Sequence, residues 1–152
     1  MPAHWLLKSE PDVYSIDDLK RDKKTFWDGV RNYAARNHLQ AMKAGDLGFF
    51  YHSNADPSGV VGIVEVAKTA YPDPTQFDPK DDHYDADSPK DAPRWFGVDV
   101  KFVEKLPQVV DLAAIKKEPS LKEMKLLKVS RLSVSPVTPA EWKTICRMGG
   151  KR

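Results

Sequence analysis

The sequence predicts an α+β domain in which a mostly antiparallel sheet closes into a small β-barrel, with helices packed on its outside and ends. The predicted order is strand, helix, helix, strand, strand, long loop, strand, short helices, strand, helix, which does not alternate as in a doubly wound parallel sheet. The strand segments are rich in aromatic and β-branched residues. With 152 residues and 41% hydrophobic content, residues 1–152 are expected to form a single domain with one core.

The first two elements are predicted by a short apolar run and a capping motif. Residues 4–8, HWLLK, predict a strand that stops before Pro11, because the residue preceding a proline avoids the helical conformation. Ser15, followed three residues later by Asp18, resembles a capping box, in which two side chains satisfy free amides at a helix start. A short helix is therefore expected directly after Ser15.

A second helix is predicted from Asn32, whose side chain can cap it. Ala35, Leu39 and Met42 then recur at helical spacing and give this helix one apolar face. Gly45 is typical of a helix end.

The middle of the chain changes to strand periodicity. The segments LGFFYHS (47–53) and GVVGIVEVA (59–67) flank a turn-forming NADPS and are expected to pair as antiparallel strands. In residues 95–106 apolar and polar side chains alternate, which is typical of a strand with one buried face.

The C-terminal part is expected to contain helices on either side of a strand. Ser120 with Glu123 and Thr138 with Glu141 each match a capping box. Residues 131–137, RLSVSPV, predict the strand between them.

Composition and charge limit the compartment and the partners. The chain has no leading apolar run long enough for a signal peptide or a membrane span, and Cys146, its single cysteine, can form no internal disulfide. We therefore expect a soluble, cytoplasmic protein that does not bind membranes.

The charge is unevenly distributed along the chain. Residues 72–93 contain seven aspartates and two lysines, a net charge of −5. Because the whole chain carries a net charge of +2, the remaining 130 residues carry a net charge of +7. A mildly basic body suits a polyanionic partner.

Motifs for catalysis, metals and nucleotides are weakly represented. His52 and Ser53 are adjacent on a predicted strand and point to opposite faces, so they do not form a local catalytic pair. Residues 81–87, DDHYDAD, are rich in oxygen ligands but lack the glycine and terminal glutamate of an EF-hand loop. No glycine-rich phosphate loop is present. We predict no enzymatic activity, no metal site and no cofactor.

The densest group of stacking and hydrogen-bonding side chains lies in residues 27–37, WDGVRNYAARN. Apart from two alanines, Val30 is the only aliphatic residue in this stretch. A flat apolar wall with convergent polar groups suits a planar heterocycle. The stretch therefore predicts recognition of a nucleobase, with Trp27 as one wall of a pocket and Tyr51 or Tyr33 opposite.

Polar side chains would take separate roles in such a pocket. Asn32 and Ser9 offer donors and acceptors to the Watson–Crick edge of a base, while Glu10 or Asp28 could accept from an exocyclic amine. Phosphate contacts, which position a strand without reading its sequence, are predicted for four cations: Lys8, Arg31, Arg36 and Arg131.

Five longer motifs, in order along nearly the whole chain, resemble the EVE domain family. They are HWLLKSEP (4–11), FWDGVRNYAARNHLQAMKAGDLGFFYHS (26–53), GVVGIVEV (59–66), RWFGVDVKFVEKLP (94–107) and SRLSVSPVT (130–138). The resemblance implies a PUA-like fold, an antiparallel β-barrel with flanking helices that is related to the YTH and ASCH domains.

The resemblance further implies a non-enzymatic reader that takes a modified base of DNA or RNA, such as a methylated or hydroxymethylated cytosine, into an aromatic-walled pocket. We expect such a reader to bind as a monomer. A free nucleoside or another small molecule in the same cavity is the alternative. With the family's pocket motifs included, the base-binding candidates are Ser9, Glu10, Trp27, Asp28, Val30, Asn32, Tyr33, Tyr51, His52 and Ser53.

Overall fold

A computed structural model describes residues 3–151, in which six strands form one sheet with helices on both faces. The strands are β1 (His4–Ser9), β2 (Lys24–Phe26), β3 (Leu47–His52), β4 (Gly59–Pro72), β5 (Phe96–Asp111) and β6 (Val134–Val137). The helices are α1 (Ile16–Asp22), α2 (Tyr33–Ala41), α3 (Leu112–Lys117), α4 (Lys125–Lys128) and α5 (Pro139–Met148), with short 3-10 helices at Pro74–Phe77 and Pro119–Leu121.

The strands follow the order β2-β5-β4-β3-β1-β6 across the sheet. All neighbours are antiparallel except β1 and β3, which run parallel. The predicted α+β class is therefore present, but the predicted barrel is not confirmed. Within residues 3–151, the sheet is open, because the edge strands β2 and β6 have only three and four residues and do not pair with each other.

The core lies on both faces of the sheet because successive strand residues point to opposite sides. Leu7 and Phe50 point to the first face, where α1 and α2 add Ile16, Leu19, Ala35 and Leu39. The second face carries Leu6 and Phe49 and is covered by α3, α4 and α5, which add Ile115, Leu126, Trp142 and Ile145. The first and second faces are used in this sense below.

Local capping chemistry explains three of the helix starts. The capping boxes of α1 and α5 and the side-chain cap of α2 form as predicted, at Ser15 with Asp18, at Thr138 with Glu141 and at Asn32.

The capping box predicted for Ser120 and Glu123 is wrong. The Ser120 hydroxyl instead donates to Glu118 Oε1 at 2.8 Å within a 3-10 helix. Helix α4 begins only at Lys125, and Met124 before it provides no side-chain cap. Since α4 has four residues, its position depends on the packing of Leu126 rather than on its own hydrogen bonds.

None of the helices in the described part of the chain is long and apolar enough to cross a membrane.

Candidate functional site

A cleft of about 310 Å³ opens on the second face, near the ends of the parallel strands β1 and β3. Lys8 and Tyr51 lie side by side in the register of these strands, so their side chains share one face and enter the same cleft. The other residues that line it come from the loop after β3 and from α3, α4 and the turn that follows: Ser53, Asn54, Ser58, Leu112, Lys116, Leu126, Leu127 and Ser130.

The lining combines an apolar wall with cations and hydroxyls. Three leucines of α3 and α4 form the apolar part, and Lys8 and Lys116 supply positive charge. No carboxylate and no histidine is among the lining residues. A cleft of this size, mostly apolar with a few placed polar groups, is typical of a small-ligand site.

Lys8 is held at the cleft by a single strong contact. Its ammonium group donates to the carbonyl oxygen of Ser130 at 2.7 Å and lies 5.8 Å from the centre of the Tyr51 ring. Partial burial lowers the pKa of Lys8 because the charged form loses hydration. No carboxylate forms an ion pair with Lys8 among residues 3–151, so its charge is available to an anionic or hydrogen-bond-accepting ligand.

Tyr51 presents its hydroxyl, not its ring face, to the cleft. Only 3% of the residue is exposed, and burial raises the pKa of the phenol. The hydroxyl makes no hydrogen bond to the described residues, yet no fully buried side-chain polar atom among them lacks a partner. The hydroxyl must therefore reach the open space of the cleft, where it can donate to or accept from a ligand.

Asn54 is oriented by a residue at the rim. Its side-chain amide donates to Glu10 Oε1 at 3.0 Å, which leaves the amide oxygen of Asn54 as the free acceptor. Glu10 itself is exposed and does not line the cleft. Glu10 therefore contacts the lining residue Asn54 and not the cleft itself.

Ser9 and His52 point away from the cleft, to the first face. They are register partners one step beyond Lys8 and Tyr51, so strand alternation turns both to the opposite side. Ser9 Oγ donates to the carbonyl oxygen of Tyr14 at 2.6 Å, and His52 Nε2 accepts from the amide of Ile16 at 3.1 Å. Desolvation is the main cause of the lowered pKa of His52, which favours the neutral ring that this hydrogen bond requires. These two hydrogen bonds hold the start of α1 in place.

Trp27 and Val30 belong to the core of the first face and are 7% and 6% exposed. The Trp27 ring packs edge-to-face on Phe50, with 5.3 Å between ring centres. Phe50 and Tyr51 are neighbours on β3 and point to opposite faces, so the sheet separates Trp27 from Tyr51. The predicted sandwich of a base between Trp27 and Tyr51 is not formed in this structure.

Arg31 is occupied by contacts within the protein. Its guanidinium donates to the carbonyl oxygens of His83 and Val30 at 2.9 Å, to Thr75 Oγ1 at 2.9 Å and to Asp73 Oδ2 at 3.1 Å. Each of the three guanidinium nitrogens donates a hydrogen bond to at least one of these acceptors. Arg31 is therefore not free to hold a phosphate as predicted. It instead connects the 27–37 stretch to residues 72–93, which we name the acidic segment.

Asp73 is the centre of this connection. It is fully buried and also accepts from the amides of Gly29 and Thr75, both at 2.8 Å. Burial alone would raise the pKa of Asp73, but the hydrogen bonds from Thr75, Gly29 and Arg31 outweigh it and keep the pKa below its usual value. Gly29 has a φ of 77°, and a side chain there would collide with the ring of His83.

Tyr33, Arg36 and Trp95 stack together outside the cleft. The Tyr33 ring is 52% exposed and stacks on Trp95 with 4.9 Å between ring centres. The Arg36 guanidinium lies 4.8 Å from the Tyr33 ring centre and donates to the carbonyl oxygen of Arg94 and to Asn37 Oδ1. Neither predicted residue lines the cleft.

Three further predicted residues have local surroundings that limit their roles. Asn32 Oδ1 accepts from the amide of Ala35 at 3.0 Å, so the helix cap uses the oxygen that base reading would need. Desolvation, followed by the neighbouring Asp73 carboxylate, raises the pKa of Asp28, which does not line the cleft. Arg131 is exposed and directly follows the lining residue Ser130.

Of the fourteen predicted site residues, the structure brings Lys8, Tyr51 and Ser53 together in the cleft. The remaining lining residues were not predicted, because they reach the cleft through long-range packing of α3 and α4 and carry no recognisable motif. One usable signal was present: leucines interspersed with lysines in residues 121–128 indicate a short helix with one apolar side and one cationic side.

The open sheet and the helices on its two faces define an α+β domain with a cationic, leucine-walled cleft. The chain belongs to the EVE domain family, whose sequence profile matches residues 3–148. It is 48% identical to thymocyte nuclear protein 1 of Gallus gallus, over 92% of this chain and 66% of that protein. It is 42% identical to the human protein of the same name, over 99% of this chain and 76% of that one. The chain thus spans about two thirds to three quarters of the length of these relatives.

Solved structures agree with this family. A hypothetical protein from Leishmania major superimposes with a TM-score of 0.96 at 45% identity, covering 99% of this chain and 96% of that one. Human THYN1 protein in complex with 5-methylcytosine containing DNA superimposes with a TM-score of 0.94 at 42% identity, with 99% of both chains covered. A Zymomonas mobilis ASCH mutant protein, 8% identical with a TM-score of 0.59 and with 96% of this chain and 98% of that one covered, shares the fold alone.

The predicted cytoplasmic location is wrong. The relatives from chicken and human are both named thymocyte nuclear protein 1, and these names contradict the prediction.

Proposed function

We propose that this protein is a non-catalytic, DNA-binding reader that takes 5-methylcytosine into the cleft between β1, β3 and α4. The observation that carries the proposal is the similarity, over 99% of the chain, to a human protein whose structure contains 5-methylcytosine DNA. The composition of the cleft supports it, because a methylated base needs one apolar contact and several hydrogen-bonding groups.

The leucine wall is the proposed contact for the methyl group. Leu112, Leu126 and Leu127 line one part of the cleft, and the polar residues line the rest. In cytosine the 5-methyl group is adjacent to the exocyclic amine, so one edge of the base has an apolar and a polar half. The free amide oxygen of Asn54 is the proposed acceptor for the amine. Ser53 and the Tyr51 hydroxyl are the proposed partners of the ring nitrogen and carbonyl oxygen.

The remaining predicted pocket residues are proposed to hold other parts of the protein in position rather than to contact the base. Glu10 orients Asn54, and Ser9 and His52 hold α1 in place beside the ends of β1 and β3. The 27–37 stretch, including Trp27, Asp28, Val30, Asn32 and Tyr33, is proposed to fix the first face and the start of α2. We propose that the protein acts as a single domain and as a monomer.

A binding role, not a catalytic one, is supported by the chemistry of the lining. Imidazoles and carboxylates most often serve as general acids and bases, and the lining contains neither. The titratable groups that line the cleft are Lys8, Lys116 and Tyr51. The Lys8 ammonium already donates to the Ser130 carbonyl oxygen, and burial raises the pKa of the Tyr51 phenol further above neutral pH. His52, the nearest candidate along the chain, uses Nε2 to accept from the Ile16 amide on the first face.

We expect the protein to bind an oligonucleotide with one 5-methylcytosine about fourfold more tightly than the same oligonucleotide with cytosine. Burial of one methyl group contributes about 0.8 kcal/mol, which corresponds to this ratio. Extrusion of a paired base costs a few kcal/mol, so a single strand or a mismatched site should bind more tightly than a matched duplex. Fluorescence anisotropy measures both differences when methylated and plain DNA are each titrated as a single strand, as a mismatched duplex and as a matched duplex.

Trimming the leucine wall should remove the methyl preference. Leu112→Ala and Leu127→Ala are expected to bring the affinity ratio towards one, while Val103→Ala on the exposed side of β5 should leave it unchanged. Equal affinity of the wild-type protein for methylated and plain DNA would contradict the proposal. An RNA oligonucleotide of the same sequence with one 5-methylcytosine would also be titrated. If it binds more tightly than the methylated DNA, the partner is RNA. Binding of the free nucleoside as tightly as the oligonucleotide, without salt dependence, would support the small-molecule alternative.

A further inference from the structure

The segment from α3 to the turn after α4, residues 112–131, carries most of the positive charge near the cleft. It contains five lysines and one arginine against two glutamates, a net charge of +4, while the whole chain carries +2. We name residues 112–131 the basic segment. Because the rest of the chain is net negative, the basic segment is the part of the molecule most suited to a polyanion.

Most cations of the basic segment have no internal partner. Among residues 3–151, the one ion pair that the segment forms joins Lys128 to Glu123 at 3.5 Å. Lys116, Lys117, Lys122 and Arg131 form none within the same described range, and all four are exposed. Their charges are therefore not neutralised by the protein itself.

The arginines of the 27–37 stretch differ in this respect. Arg31 is paired with the buried Asp73 and donates to three further acceptors, and Arg36 donates to Asn37 and to a main-chain carbonyl. A phosphate would have to compete with these contacts. No such contacts within the described residues compete at Lys116, Lys117, Lys122 and Arg131, so these four cations are free to meet a phosphate.

The basic segment also forms part of the cleft wall. Leu112, Lys116, Leu126, Leu127 and Ser130 line the cleft, and Arg131 follows the last of these. None of residues 72–93, the acidic segment, is among the lining residues. A strand whose base enters the cleft would thus have the unpaired cations of the basic segment within reach of its phosphates.

We propose that the DNA strand that carries the modified base runs along the basic segment, with its phosphates against Lys116, Lys117, Lys122 and Arg131 and with Lys8 at the mouth of the cleft. This inference rests on the proposed function, because it assumes that the base occupies the cleft. It assigns strand positioning to α3, α4 and their connection, and base reading to the ends of β1 and β3.

Removing two of these cations should lower the salt dependence of DNA binding. Each phosphate neutralised contributes about 0.7 to 0.9 to the slope of log affinity against log salt. The double variant Lys117→Ala with Lys122→Ala is expected to reduce this slope by about 1 to 2 and to weaken binding of a methylated oligonucleotide about tenfold at low salt. Neither lysine lines the cleft, so binding of the nucleoside 5-methyl-2′-deoxycytidine, measured by calorimetry, should not change.

The matched control is the double variant Lys90→Ala with Lys143→Ala. Both lysines are exposed and form no ion pair within residues 3–151, but they lie outside the basic segment. The control variant removes the same charge and should keep the wild-type slope.

The outcomes separate the two proposals. If the wild-type protein shows no preference for methylated DNA, the proposed function fails. If it shows the preference but the Lys117 and Lys122 variant keeps the wild-type slope, or loses no more slope than the control, the path along the basic segment is wrong. An equal loss of nucleoside binding in the variant would also overturn the path, because the effect would then lie in the cleft.

Discussion

Replacing Ser53 by tryptophan is expected to weaken binding of methylated DNA at least a hundredfold, or about 2.7 kcal/mol. Ser53 lines the cleft directly after β3, and its hydroxyl makes no hydrogen bond to the described residues. The cleft of about 310 Å³ is near the lower limit for ligand pockets, so an indole ring would occupy the volume that a base requires.

The substitution should have little effect on folding, since Ser53 is partly exposed and contributes its main-chain amide to the contact with Ser9. Val103→Trp is a suitable control, because it introduces the same side chain at an exposed position of β5 outside the cleft. Anisotropy titrations measure the affinity, and thermal unfolding confirms that both variants fold. Wild-type affinity in Ser53→Trp would show that the base binds elsewhere.

Replacing Asp73 by asparagine is expected to lower the free energy of unfolding by about 3 kcal/mol at neutral pH. The carboxylate is fully buried and accepts from the Gly29 amide, the Arg31 guanidinium and the Thr75 amide and hydroxyl. An asparagine keeps one oxygen but turns an NH₂ group towards donors, and it leaves the partly buried Arg31 charge without a counter-ion.

The loss should depend on pH in a defined direction. The pKa of Asp73 is lower in the folded than in the unfolded protein, so its contribution is complete above the unfolded value of about 3.9 and is lost as pH falls through the folded value. The stability difference between wild type and Asp73→Asn should thus be constant from neutral pH to about pH 5 and shrink below about pH 4.

Denaturant unfolding at several pH values gives this comparison. Asp91→Asn serves as the control, because Asp91 is exposed and belongs to the same acidic segment. A loss below 1 kcal/mol at neutral pH, or a difference that grows under acid, would contradict the role assigned to the Asp73 carboxylate.

Elements determined by neighbouring residues could be predicted from the sequence. The caps at Ser15, Asn32 and Thr138 depend on side chains within three residues of the helix start, and all three form. Pairing of β3 with β4 also depends on a short local turn. The parallel pairing of β1 with β3 joins segments about forty residues apart, and no local pattern indicates it.

Three of the ten residues that line the cleft are predicted site residues, and two dipeptides show why other predicted residues lie elsewhere. Lys8 and Ser9, and likewise Tyr51 and His52, are neighbours whose side chains lie on opposite faces of the sheet. Strand alternation, applied to both motifs together, would have separated the cleft residues from those that hold α1. It could not have shown that α3 and α4 close the cleft, because that depends on long-range packing.

The sequence predicts base recognition by the 27–37 stretch because stacking and hydrogen-bonding side chains are dense there and aliphatic side chains are few. Their partners are distant in sequence: Gly29 and Arg31 meet Asp73, and Tyr33 stacks on Trp95. A surplus of hydrogen-bonding groups in one stretch therefore has two explanations, a ligand or a remote segment of the same chain. In the 27–37 stretch, contacts with remote segments of the chain account for most of these hydrogen-bonding and stacking groups.

A crystal structure of the protein with a short DNA strand that contains one 5-methylcytosine tests the central claim most directly. We expect the methylated ring in the cleft, with its methyl group within about 4 Å of at least one of the leucines at 112, 126 and 127. Its polar edge should contact Asn54 or Ser53, and the phosphates should follow the basic segment. A base bound on the first face against Trp27, or stacked on Tyr33 with the cleft unfilled, would contradict this account.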